Sequence, residues 1–74
     1  MKFTVTDDNY LSVRFSEIEE FLGREHRGSG EDDQAIIAQL LKDGAPLWIA
    51  ENEGFLEADA TDAWWCIKGP GFNT

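Results

Sequence analysis

The chain has 74 residues, a single cysteine and a formal charge of −9, with fifteen Asp and Glu against six Lys and Arg. That length makes one domain or part of one, which buries only about 60% of its unfolded surface. No apolar run approaches the roughly 20 residues that span a bilayer, Cys66 alone excludes an internal disulfide, and the charge argues against binding DNA, RNA or anionic lipid.

From the N-terminus, Phe3 and Val5 alternate with Lys2, Thr4 and Thr6, and Leu11, Val13 and Phe15 alternate with Tyr10, Ser12 and Arg14. Both are strand patterns with one apolar face. Asp7-Asp8-Asn9 between them is turn chemistry, and Asn tolerates a left-handed backbone. The pattern predicts a hairpin of residues 2–6 and 10–15, with Phe3, Val5, Leu11, Val13 and Phe15 facing the core. Ser16 and Glu19 have the spacing of a capping box. Ile18, Phe21 and Leu22 form the stripe of a short helix, 17–22, ended by Gly23. Glu17, Glu19 and Glu20 suit the positive end of its dipole.

Residues 24–30, Arg-Glu-His-Arg-Gly-Ser-Gly, read as a polar, mobile connector. Asp32 or Asp33 then caps a second helix through Asp43. Ile36, Ile37, Leu40 and Leu41 share one side of it, and Gly44 and Pro46 stop it. This is the strongest helical signal in the chain.

Beyond Pro46 the pattern changes to short strands, Leu47–Ala50, Phe55–Ala58 and Ala63–Lys68, separated by turns at 51–54 and 59–62. The order β-β-α-α-β-β-β predicts an α+β fold: one antiparallel sheet of about five strands with two helices on one face. Residues 1–68 make a single domain and 69–74 a loose tail. Successive strand residues point to opposite faces, so Trp64 and Trp65 cannot share one core. The expected arrangement turns Leu47, Ile49, Trp65 and Ile67 to the helices and leaves Trp48 and Trp64 on the open face. The opposite phase for the last strand stays open.

No residue set for catalysis, metal or cofactor emerges. Cys66 and His26 are the only thiol–imidazole pair, but Cys66 sits in an apolar strand and His26 in a loop. Two Cys or His residues fall short of a structural zinc site. Asp7-Asp8-Asn9 and Asp59-Ala60-Thr61-Asp62 do not match a calcium loop. Gly28-Ser29-Gly30, beside Arg24 and Arg27, lacks the lysine and the preceding strand of a phosphate loop.

Attention therefore falls on the carboxylates. From Asp43 to Ile67, counting Asp43 itself, there are six acids and no base. Glu51, Glu53, Glu57, Asp59 and Asp62 are the least easily explained as helix caps. With Trp48 or Trp64 as an aromatic anchor, they are the candidate partner-binding residues. A tiny, acidic α+β chain with this run of acids resembles the inhibitors that phages encode against host defence, including anti-CRISPR proteins and DNA mimics. The resemblance rests on overall character and no specific motif. It implies a target such as a Cas complex, whose nucleic-acid-binding groove the acids would occupy. Duplex DNA carries one charge per roughly 1.7 Å, so nine charges compare with roughly 15 Å of duplex.

The expectation is thus a non-enzymatic, cytoplasmic binding protein, a monomer or weak homodimer, that blocks a basic surface without touching nucleic acid or membrane itself. The alternatives are an immunity protein or antitoxin against a basic toxin, and a small housekeeping module that self-associates through its open sheet face.

Overall fold

The computed structural model describes residues 1–26, 30–58 and 63–71. Its elements are β1 (Thr4–Val5), β2 (Tyr10–Arg14), α1 (Phe15–Leu22), α2 (Gly30–Lys42), a 3₁₀ helix (Leu47–Glu51), β3 (Phe55–Ala58) and β4 (Ala63–Lys68). The fold is α+β, with one antiparallel sheet in the order β1-β2-β4-β3.

The hairpin forms as its turn residues dictate. Asn9 adopts φ 64°, and the Thr6 and Tyr10 backbones close the loop at 2.9 Å. Thr4 pairs with Ser12 and Val5 with Leu11. Leu11 and Val13 are fully buried and Phe3 packs partly against the core, but Val5 is 36% exposed. It faces the same way as Leu11, yet on a two-residue edge strand little reaches out to cover it.

Two expected helix starts move. Phe15 leaves the strand pattern and becomes the first residue of α1, where its ring meets His26 edge-on at 5.7 Å. β2 therefore runs straight into the helix through an extended Arg14, with no side-chain cap. Ser16 lies within the first turn and the capping box does not form. Gly23 ends α1 as expected, in a left-handed conformation with its N–H on the Glu19 carbonyl. Helix α2 begins at Gly30, so Asp32 and Asp33 lie inside its first turn rather than at its cap. Both are turned to tertiary partners instead.

The expected strand at 47–50 is the main correction. Leu47–Glu51 is a 3₁₀ helix, and the described sheet has four strands rather than about five. Pro46 supplies the extended residue ahead of it, and the Ile49 N–H returns to the Pro46 carbonyl at 3.2 Å. Asn52 closes the far end with its backbone N–H on Ile49 and its side-chain amide on the Trp48 carbonyl. The tight coil buries Ile49 but leaves Leu47 83% exposed, so Leu47 does not face the helices.

The last strand, β4, lies between β2 and β3 and pairs with both. Its phase is the expected one: Trp65 and Ile67 join Leu11, Val13, Ile18, Ile36, Ile37, Leu40 and Ile49 in a single core under the helices. Each such side chain contributes about 1.5–3 kcal/mol on full burial. Past β4, the Gly69 N–H binds the Asn9 carbonyl at 2.7 Å and the Asn9 amide binds the Pro70 carbonyl at 2.8 Å. These bonds hold residues 69 and 70 to the hairpin turn.

Candidate interaction surfaces

The two layers differ sharply in charge. From Phe15 to Gly54, the described residues carry ten carboxylates (Glu17, Glu19, Glu20, Glu25, Glu31, Asp32, Asp33, Asp43, Glu51 and Glu53) against Arg24 and Lys42. These residues are the two helices, the 3₁₀ helix and their connections. The described strands and their turns carry Asp7, Asp8 and Glu57 against Lys2, Arg14 and Lys68. Among the described residues the helical layer is strongly acidic and the sheet is balanced.

Among the described residues, four acids of the helical layer have internal partners: Glu17, which accepts from the Lys2 backbone N–H at 3.1 Å, and three aspartates. Arg24 grips Asp32 through its two terminal guanidinium nitrogens, and Asp32 is only 4% exposed. The hydrogen bond to Asp32, and then its charge, hold Arg24 still more firmly protonated than usual. Asp33 Oδ1 accepts from the indole N–H of Trp65 and lies 3.1 Å from His26 Nε2. A buried indole needs such an acceptor, so this acid is structural. Asp43 pairs with the Met1 amino group, which, ahead of the Gln39 amide, lowers its pKa. Glu19, Glu20, Glu25, Glu31, Glu51 and Glu53 stand exposed.

On the sheet, pairing places Tyr10, Ser12 and Arg14 beside Lys68, Cys66 and Trp64, with Phe55 and Glu57 beyond Cys66 and Trp64. Paired residues point the same way, so these side chains line the face away from the helices. Cations lie over two of its rings: Arg14 over Trp64 and Lys68 over Phe55, each 5.1 Å from the ring centre. The Tyr10 hydroxyl donates to the Glu57 carboxylate and lies 3.0 Å from Cys66 Sγ, which is itself 3.5 Å from Glu57. Cys66 is fully buried but belongs to this face, not to the core. Burial first, then the Glu57 hydrogen bond and charge, push its thiol up to about 12. A thiol held protonated in this way is a poor nucleophile. His26 lies on the helix side of the sheet, with Asp33 and Phe15, so no thiol–imidazole dyad exists.

The sequence-derived set is not gathered at one place. Glu57 and Trp64 share the open face and are neighbours in register. Glu51 ends the 3₁₀ helix and Glu53 follows in the loop to β3, on the acidic layer. Trp48 is not on the open sheet face, as expected for a strand residue. It projects from the 3₁₀ helix and packs partly against the core, with its ring so close to Gly69 that a Cβ there would sit 2.6 Å from it. Asp59 and Asp62 lie outside the described residues. Tyr10 and Phe55 belong to the open face and were not singled out from sequence, although the alternation of residues 10–15 had already set Tyr10 on the polar side. Phe21, 40% exposed, borders a hollow of about 350 Å³ with Glu17, Glu20, Gln39 and Met1. It puts an aromatic ring beside carboxylates on the helical layer.

Among the described residues, no three His, Cys, Asp or Glu side chains are grouped as metal ligands would be, and no helix is long and apolar enough to cross a membrane. No family model, curated protein or solved structure matches the chain.

Proposed function

We propose that the protein is a non-enzymatic inhibitor that sets its acidic helical layer against a basic surface, of the kind that holds nucleic acid. A nucleic-acid-binding defence complex, as anti-CRISPR proteins engage, is the target class this reading names. The observation that carries it is the separation of charge between layers: the exposed carboxylates of α1, α2 and the 3₁₀ helix meet almost no cations of their own. Fields of one sign on one face steer a basic partner and speed encounter, while close contacts set the residence time. Phe21, exposed at a hollow that Glu17 and Glu20 also line, takes the role of aromatic anchor first assigned to Trp48 or Trp64.

The test begins with capture of a partner from host lysate and continues with the purified pair. Affinity should fall as salt rises, and duplex DNA or RNA should compete. Reversal of Glu19, Glu20, Glu51 and Glu53 to Lys should weaken binding at least about tenfold. Binding that ignores these reversals and ignores salt would remove the acidic layer from consideration. Binding that survives nucleic-acid competition but not charge reversal would favour a toxin as the basic partner.

A further inference from the structure

We infer that the open sheet face is a homodimer interface, with the sheets of two copies stacked face to face about a twofold axis along the strands. The inference goes beyond the proposed target, uses the opposite face of the molecule and does not depend on that reading.

Three observations converge. First, the face carries a row in which Arg14, Trp64 and Glu57 stand side by side on β2, β4 and β3. A twofold axis lying in the interface and passing along β4 reverses this row. Arg14 then meets the partner's Glu57, Glu57 meets the partner's Arg14, and the two indoles adjoin at the centre. The row is self-complementary in charge, as an isologous contact requires. Second, Trp64 stands between two hollows. One, of about 360 Å³, is lined by Tyr10, Ser12, Glu57 and Ala58. The other, of about 200 Å³, is lined by Lys2, Phe3, Thr4, Ser12 and Arg14. These hollows leave open space beside each indole at the centre of the contact. Glu57 is already fixed by Tyr10 and Cys66, so little side-chain freedom is lost on contact.

Third, the charge partition selects this face. Two copies of charge −9 repel. Among the described residues the sheet is balanced and the helical layer is not, and stacking sheet on sheet puts both acidic helical layers on the outside, two layers of protein apart. A standard interface takes about 800 Å² from each partner, about a sixth of the 4776 Å² surface of this chain.

Light scattering and sedimentation of the full chain test this directly. The wild type should move from the 8.3 kDa monomer to twice that mass with concentration. Dimerisation should strengthen as salt rises from about 0.1 M to about 1 M, because screening falls from about 10 Å to about 3 Å and the net repulsion with it. Arg14→Glu and Glu57→Arg should each weaken self-association at least about tenfold, by setting like charges together. Mixed in equal amounts, the two variants should associate again, since each then supplies what the other lacks. Circular dichroism identifies any variant that fails to fold, and Arg14→Gln with Glu57→Gln, which remove the pairs without repulsion, serve in its place. A wild type that stays monomeric at every concentration and salt, or folded charge-reversed variants that dimerise as well as wild type, would overturn the inference. So would a mixture that associates no better than its components.

Discussion

Gly54→Ala sets two effects of opposite sign against each other. On backbone grounds alone, replacing Gly by Ala at a compatible position stabilises by about 0.4–1 kcal/mol, through the entropy of the unfolded chain. Packing says otherwise. A Cβ at residue 54 would lie 1.9 Å from Trp65 Cζ2 and 2.1 Å from Cε2, well inside the roughly 3.5–4.0 Å separation of carbons in contact. The indole cannot easily yield, being fully buried and held by its N–H to Asp33 at 3.1 Å. The loop must move instead, and overpacking of this kind costs about 1–3 kcal/mol or more. The expected net loss is about 1–3 kcal/mol, from a total that for 74 residues is roughly 4–11 kcal/mol. Urea unfolding followed by far-ultraviolet circular dichroism measures it, and the melting temperature should fall by about 4–8 °C per kcal/mol. The cycle is completed by Trp65→Phe, whose smaller ring makes room: in that background Gly54→Ala should cost much less, a coupling of at least about 0.5 kcal/mol. A neutral or stabilising Gly54→Ala in the wild-type background would refute the close packing of this loop on the indole.

Asp33→Ala should destabilise by about 1–3 kcal/mol in the same assay, because it leaves the buried Trp65 N–H without its acceptor; Asp33→Asn keeps a carbonyl oxygen and should lose less. Arg24→Leu strips the nearly buried Asp32 of its two-pronged cation, so it should lower the urea midpoint at pH 7. Cys66 should resist a disulfide reagent at pH 8 in the native protein and react promptly in urea. Its folded thiol keeps its proton to about 12, while an unfolded thiol loses it near about 8.5. Between those values the unfolded chain binds fewer protons, so stability falls as pH rises, by at most about 1.4 kcal/mol per unit. Urea midpoints from pH 7 upward should show this slope, and Cys66→Ala should flatten it.

Where the chain's own periodicity coincided with a single burial direction, the sequence was readable. The stripe of Ile36, Ile37 and Leu40 and the left-handed Asn9 follow from local rules, whereas the inward phase of Trp65 and Ile67 is one of two that the alternation left open. Leu47–Ala50 misleads because a run of four apolar residues fits a strand and a tight helical turn equally well. What decides for the turn is local closure, the Ile49 N–H on the Pro46 carbonyl and the Asn52 backbone and side-chain amides on Ile49 and Trp48. Ser16 and Asp33 mislead for another reason: each has a local role available, but Phe15 claims the helix start and Trp65 claims the carboxylate. The surface was the least legible part. A run of acids along the chain is not a patch, since Glu53 and Glu57 go to different layers. The acidic helices were visible as acids, yet each had a capping explanation that hid their joint exposure.

The order of the sheet also governs how the molecule assembles. One of its two interior strands, β4, comes last among the described strands in chain order, and Tyr10 meets Cys66 across 56 positions. Contacts this distant slow folding, because a large loop must close before they repay its entropy. Before residues 63–68 arrive, the hairpin and α1 have no inner strand to lean on. A fragment ending at residue 62 should therefore remain unfolded, and the chain should acquire its native state in one step, late, once its final strand slides into the gap.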